Sequence, residues 1–226
     1  MSVDPISLAI VLALVALVPL AAVMTTSFLK IAVVLALVRN ALGVQQVPPN
    51  MALYGLALVL SAYVMAPVIN EVGVALRQST GIHQSDQNVS PEPPGVQLAG
   101  ILKAMQVGVG PMQEFMLRNS KPEQRDFFLR TAQRIWGPQQ AENLSEDDLL
   151  VLIPAFLVSE LTAAFQLGFL LYLPFIVIDL IVSNILLAMG MMMVSPVTIS
   201  MPLKLFLFVM VDGWTRLIQG LVLSYR

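Results

Sequence analysis

The chain has 226 residues and a net charge of −2, with 57% hydrophobic and only 12% charged residues. Soluble domains average about 25% charged residues, and a globule of this length cannot hide so much apolar surface from water, which excludes an ordinary water-soluble enzyme. A pI of about 5.3 excludes the basic footprint of a nucleic-acid binder, and the absence of cysteine excludes disulfide and thiolate chemistry.

The 26 charged residues are unevenly spread. Seventeen of them fall between Glu71 and Asp148, leaving two apolar blocks around a polar middle. That middle holds 7 basic and 10 acidic residues, so it reads as a solvated domain rather than a binding arm. The expected fold class is all-α: membrane-associated helical hairpins with an inserted small amphipathic helical domain. The expected division is an N-terminal apolar hairpin (1–77), a flexible polar linker (78–96), a soluble helical domain (97–144) and C-terminal apolar helices (145–226).

The first residues, Met1 to Ser7, contain Asp4 and neither Lys nor Arg. That is the wrong amino-terminal region for a cleaved signal. Ile6 to Val38 would make one helix roughly 50 Å long, against the ~20 residues a bilayer core needs. Either it breaks near Pro19 and Thr25-Thr26-Ser27, or it rises well beyond a bilayer. Gly43, Pro48, Pro49 and a capping Asn50 predict a tight turn into a second apolar helix.

Residues 78–96 are polar and proline-containing, too poor in apolar groups to pack. Leu98, Ile101, Leu102, Met105, Val109, Met112 and Met116 then recur at helical spacing, with Pro111 expected to bend or restart the helix. Ser120-Lys121-Pro122-Glu123 has the form of a capping box with proline near N1. It precedes a stripe of Phe127, Phe128, Ala132, Ile135 and Trp136, stopped by Gly137-Pro138.

Ser145 to Asp148 place acids at the start of the next helix, expected over Leu149–Tyr172. Pro174 is expected to start another helix reaching about Met193. Val194 to Pro202 reads as a hairpin loop, and Leu203 to Tyr225 as the closing helix.

Charges inside apolar helices are costly and mark interfaces or function. Glu160 stands beside small residues repeating every four positions, Ala155, Ser159 and Ala163, with Ala164 and Gly168 one register away. Such ridges let helices approach closely. Glu160 therefore reads as a polar lock between helices or subunits, as an ion relay, or as a solvated side chain. Asp212 and Arg216 have the i,i+4 order of a helical ion pair. Lys30, Asp179 and Lys204 are further intramembrane candidates whose partners local spacing does not reveal.

Met189, Met191, Met192 and Met193 place four thioethers in five positions. They are either apolar filling at a helix end or, multiplied by oligomerisation, a deformable ring around a passing chain. His83 is alone and no metal site is expected. The segment Gly108-Val109-Gly110 is followed by Pro111 and is not a dinucleotide fingerprint. No Walker loop, zinc-protease motif or nucleophile elbow occurs, so neither enzyme nor cofactor is expected.

Two ordered signatures carry a family resemblance. The first is Leu37-Val38-Arg39-Asn40-Ala41-Leu42-Gly43 followed by Pro48-Pro49-Asn50. The second runs from Leu152-Ile153-Pro154-Ala155-Phe156 through Ser159-Glu160-Leu161, Ala164 to Phe169 and Pro174 to Asp179. It continues through Met189 to Pro196, Leu203-Lys204-Leu205 and Asp212-Gly213-Trp214. Together they resemble the type III secretion export-gate family, called SctR in injectisomes and FliP in flagella. Val44-Gln45-Gln46-Val47 before the prolines is more similar to the injectisome branch.

The resemblance implies a subunit of a conical helical export-gate oligomer in the Gram-negative inner membrane, with the polar domain on the periplasmic side. It implies five copies joined by SctS (FliQ-like) and SctT (FliR-like) proteins, with an SctU (FlhB-like) protein at the base and unfolded polypeptides as cargo. It places much of the apolar sequence between subunits rather than in lipid, against the four-span reading that hydropathy alone supplies. It matches Met189 and Met191–Met193 to a channel-sealing loop. It matches Glu160, Phe115 (in Glu114-Phe115-Met116-Leu117-Arg118) and Phe128 (in the Phe127-Phe128 pair) to contacts between copies. The alternative from the residues alone is an ion-coupled secondary transporter or channel using Glu160, Asp179 and Lys204.

Overall fold

The computed structural model describes residues 5–44, 47–80, 108–137, 141 and 143–225. These are helices joined by short turns, with no strand among the described residues. In chain order they are α1 (Pro5–Thr25), α2 (Phe28–Ala41) and α3 (Asn50–Thr80). Then come α4 (108–119), α5 (Pro122–Trp136), α6 (Leu149–Ala188), α7 (Pro196–Met210) and α8 (Gly213–Leu223).

The first apolar stretch takes the broken alternative. Pro19 is carried inside α1, and the helix ends at Thr25. Thr25 and Thr26 each turn their hydroxyls back onto carbonyls four residues earlier, Ala21 and Ala22. Such back-bonding competes with the helical ladder. Helix α2 restarts after Ser27.

The predicted turn after α2 is present, with Gly43 at φ +77°, a conformation that only glycine adopts without strain. Asn50 does not cap α3, however. Its side-chain oxygen accepts from Arg39 Nη1, and the Pro49 carbonyl accepts the first N–H groups, from Ala52 and Leu53. Helix α3 runs to Thr80, so residues 78–80 continue it; the rest of the expected linker lies outside the described residues, as do His83, Leu98, Ile101, Leu102 and Met105.

Pro111 lies within the first turns of α4. Four further expectations are corrected. The capping box at Ser120 does not form. Lys121 is the N-cap residue and Pro122 opens α5, while Ser120 Oγ donates to the Leu117 carbonyl and accepts from Arg125. Pro174 starts no new helix: α6 is one element of 40 residues. Proline is tolerated in apolar helices where neighbouring groups re-satisfy the freed carbonyl. The loop after α6 is shorter than expected, because α7 begins at Pro196 and carries Pro202 inside. The closing helix is in turn split at Val211-Asp212, with α7 and α8 bent by 63°.

Helices α3 (over Asn50–Ala75) and α6 are long and apolar enough to cross a membrane. Two broken pairs, Pro19–Thr25 with α2 and α7 with α8, raise the candidate spans to as many as four. The fold is that of an all-α membrane protein.

The chain forms two compact units that cut across the linear division. One comprises residues 1–26 and 65–159. Within it, Phe115 of α4 packs edge-on against Phe156 of α6, with ring centroids 5.9 Å apart, beside buried Met116, Val151 and Leu152. Polar bonds join α4, α5 and α6. The Lys121 N–H donates to Ser159 Oγ at 2.9 Å, and Arg125 Nη1 donates to the Leu117 and Ser120 carbonyls.

The other unit comprises residues 27–64 and 160–226. Its core is the apolar face of α2, made of Ile31, Val34, Leu35 and Val38. This face packs with Leu53 and Ala57 of α3, Ala164 and Phe175 of α6, Phe208 of α7, and Leu217 and Leu221 of α8. The predicted small-residue ridge is used here. At Gly168 the backbone lies so close to Leu37 that an added Cβ would overlap its side chain, standing 3.2 Å from Leu37 Cβ.

Candidate functional site

The sequence-predicted methionines occupy the turn between α6 and α7. Met189 N–H donates to Ile185 O, Gly190 N–H to Leu187 O and Met191 N–H to Leu186 O, each at 3.0 Å. With Gly190 at φ +75°, this is a glycine-closed helix end of the Schellman type. The four thioethers then point outward: Met192 is 80% and Met193 100% exposed, and Met189 and Met191 are exposed as well. Within one copy all four are exposed rather than packed into the helix end.

The arms of the turn are joined by charge. Lys204 Nζ of α7 donates to Asp179 Oδ2 of α6 at 2.6 Å, and Ser200 Oγ donates to Asp179 Oδ1. Both Ser200 and Lys204 are buried.

Glu160 lies at the heart of a second polar cluster. It is 2% exposed and Lys30 4%, and the Lys30 ammonium stands 3.4 Å from its carboxylate. The Tyr225 hydroxyl donates to Glu160 Oε2 and lies 3.3 Å from the Ser27 carbonyl. The Tyr225 ring sits under Lys30 Nζ, 3.9 Å from the centroid, a cation–π distance. Ser27 Oγ donates to Ser61 Oγ at 3.1 Å. Burial, then the Glu160 charge and its hydrogen bond, push the Tyr225 phenol far above its ordinary value, so it remains a donor at any physiological pH.

Glu160 is therefore not solvated, and within one copy it already has partners on α2 and beyond α8. Phe115 is likewise buried inside its own unit against Phe156. Phe128 is half-buried and meets Phe127 edge-on, ring centroids 5.2 Å apart. With Phe127, Ile135 and Trp136 exposed, the α5 stripe is left largely uncovered by this chain. Asp212 and Arg216 are not joined by their side chains. Both are exposed, and their link is the Arg216 N–H to Asp212 carbonyl bond at 3.1 Å. Asp212 takes the left-handed conformation, φ 53°, at the α7–α8 break.

Sequence reasoning missed the Lys30–Glu160–Tyr225 grouping and the Asp179–Lys204 pair. The signal for them was present only as isolated charges in apolar helices.

These features define a class: a helical membrane protein in which Lys30 pairs with Glu160 and Lys204 with Asp179 inside the chain, and whose longest helix ends in an exposed methionine turn. The chain belongs to the FliP family, whose profile matches residues 11–221. It is 53% identical over 222 residues to the Yop proteins translocation protein R of Yersinia pestis, covering 98% of this chain and 97% of that one. It is 47% identical over 223 residues to the harpin secretion protein HrcR of Erwinia amylovora, with coverage of 98% and 97%. It is 45% identical over 226 residues to the virulence protein YscR of Salmonella typhimurium, again with coverage of 98% and 97%.

Proposed function

We propose that this chain is a core subunit of the type III protein-secretion export gate, of the injectisome (SctR) branch. It forms part of the protein-conducting channel for unfolded polypeptides at the Gram-negative inner membrane. Full-length relatives named for translocation, harpin secretion and virulence support the role. In this reading the subunit assembles as five copies with SctS-, SctT- and SctU-like proteins, its polar domain periplasmic. Glu160, Phe115 and Phe128 stand at or behind contacts between copies. It conducts rather than catalyses, and needs neither cofactor nor nucleic acid.

The observation that carries the reading is the exposed methionine turn. Thioether side chains repack around different shapes, and an exposed set repeated in a ring can close on itself or on an extended chain. Exposed apolar groups on this scale call for lipid or protein to cover them. A transporter built on Glu160, Asp179 and Lys204 finds less support, because each of these groups is already in an ion pair within the chain.

The test is conductance of the reconstituted complex after replacing Met191, Met192 and Met193 together with alanine. The closed complex becomes leaky to small ions while assembly persists. A triple variant that assembles and stays electrically tight refutes the sealing role.

A further inference from the structure

The two arms of the methionine turn are held by apolar contact and by charge, and these do different work. Phe175 of α6 and Phe208 of α7 pack with ring centroids 6.3 Å apart. Such contact is strong but non-directional, so the arms could slide past one another at little cost. The polar contacts permit no such sliding. Asp179 spends both carboxylate oxygens on α7, one on Ser200 Oγ and one on Lys204 Nζ. Ser200 is fully buried and Lys204 is 3% exposed. A shift of α7 by one residue would strand a buried ammonium, which is heavily penalised in an apolar setting.

The same ammonium reaches a third element. Lys204 Nζ lies 3.4 Å from the carbonyl of Ala41, where α2 ends. The carboxyl end of a helix carries partial negative charge that favours a cation. Close by, the α2–α3 turn leans on the first turns of α7. A Cβ at Gly43 would touch Val197 Cγ1 at 3.8 Å and Met201 Cγ at 4.0 Å. One lysine thus gathers α2, α6 and α7 about two and a half helical turns below the methionines.

We propose that Asp179 and Lys204 are positioning residues for the methionine turn. Their ion pair fixes the register of α6 against α7, and through it the place where Met189 and Met191–Met193 stand. The functional meaning of this rests on the reading of the turn as the channel seal, but the positioning itself is separately measurable.

The chain contains no cysteine, so Met192→Cys gives a single attachment point for a nitroxide spin label in the purified complex. Asp179→Asn in that background raises the mobile fraction of the label about tenfold relative to the held fraction, the shift expected for losing one charge-assisted hydrogen bond. Ser200→Ala raises it less, and the exchanged pair Asp179→Lys with Lys204→Asp returns it towards the parent. A merely structural role would change complex yield and thermal midpoint but would not mobilise the label in complexes that do assemble. A label spectrum unchanged in Asp179→Asn and Ser200→Ala overturns the proposal. Should Asp179→Asn fail to assemble, Ser200→Ala decides alone. Conductance of the triple methionine variant is recorded in parallel: if that variant stays tight, the seal reading falls while the label still decides the positioning.

Discussion

The Lys30 ammonium and the Glu160 carboxylate stand 3.4 Å apart in the apolar interior of one unit. Tyr225 completes the pair on both sides, its hydroxyl on Glu160 and its ring under Lys30. The acid that the sequence marks as an interface candidate is thus satisfied first within its own chain. Any role between copies works through this cluster rather than through a free carboxylate.

Removing one partner should therefore be worse than removing both. Glu160→Ala leaves Lys30 buried and unpaired, which costs about 3–5 kcal/mol. The double variant Lys30→Met with Glu160→Leu should recover most of that loss. Thermal midpoints and complex yields in detergent, arranged as a double-mutant cycle, check this. Additive losses would show that the two side chains do not act as a pair.

Tyr225→Phe keeps the ring and deletes the hydroxyl, so it should cost roughly 1–3 kcal/mol, as expected for a bond to a charged acceptor. The pH dependence follows from the raised phenol. The folded state holds this proton where the unfolded chain loses it, so the stabilisation is complete below about pH 10 and declines as pH rises above that value. Tyrosinate absorbance provides the check. Tyr225→Phe should leave the native curve unchanged below about pH 11 while lowering the amplitude of the denatured one. A native amplitude that falls with the substitution would contradict the burial.

Gly168→Ala should loosen α6 from α2. The added methyl would overlap Leu37, and overpacking of this kind costs about 1–3 kcal/mol. The thermal midpoint should fall without loss of helix by circular dichroism. Leu37→Ala in the same chain should restore part of it by vacating the space. No rescue would mean that the close approach lies elsewhere.

Met191→Ala, Met192→Ala and Met193→Ala should each leave chain stability nearly unchanged, since the side chains are exposed. Buried methionines would lose ~2–5 kcal/mol apiece. Urea unfolding of the purified chain in mild detergent separates the two outcomes.

Local patterns announced the helices well, because apolar periodicity and turn glycines act over a few residues. The glycine of the α2–α3 turn and that of the methionine turn both took the left-handed conformation such ends require. Proline misled the reading at Pro174 and Pro202, since an apolar helix flanked by others absorbs a missing N–H that a solvated helix would not. The capping box at Ser120 lost to Arg125, a competitor on the next helical turn. The ion pairs were illegible for a different reason. Lys30 and Glu160 are 130 residues apart, and no local rule chooses among the charges of distant helices.

That separation has a meaning in time. A bacterial ribosome adds about 5–20 residues per second, so Lys30 is made roughly 6 to 26 s before its carboxylate partner, and Ser27 waits a further 65 residues' worth of synthesis for Tyr225. Helix α2 has only 14 residues, or about 21 Å, shorter than the ~30 Å hydrocarbon core, and it carries an ammonium it cannot neutralise alone. Throughout that interval the Lys30 ammonium is without its carboxylate, so the polar side of α2 is completed only by the last third of the chain, although α2 is among the first parts to be made.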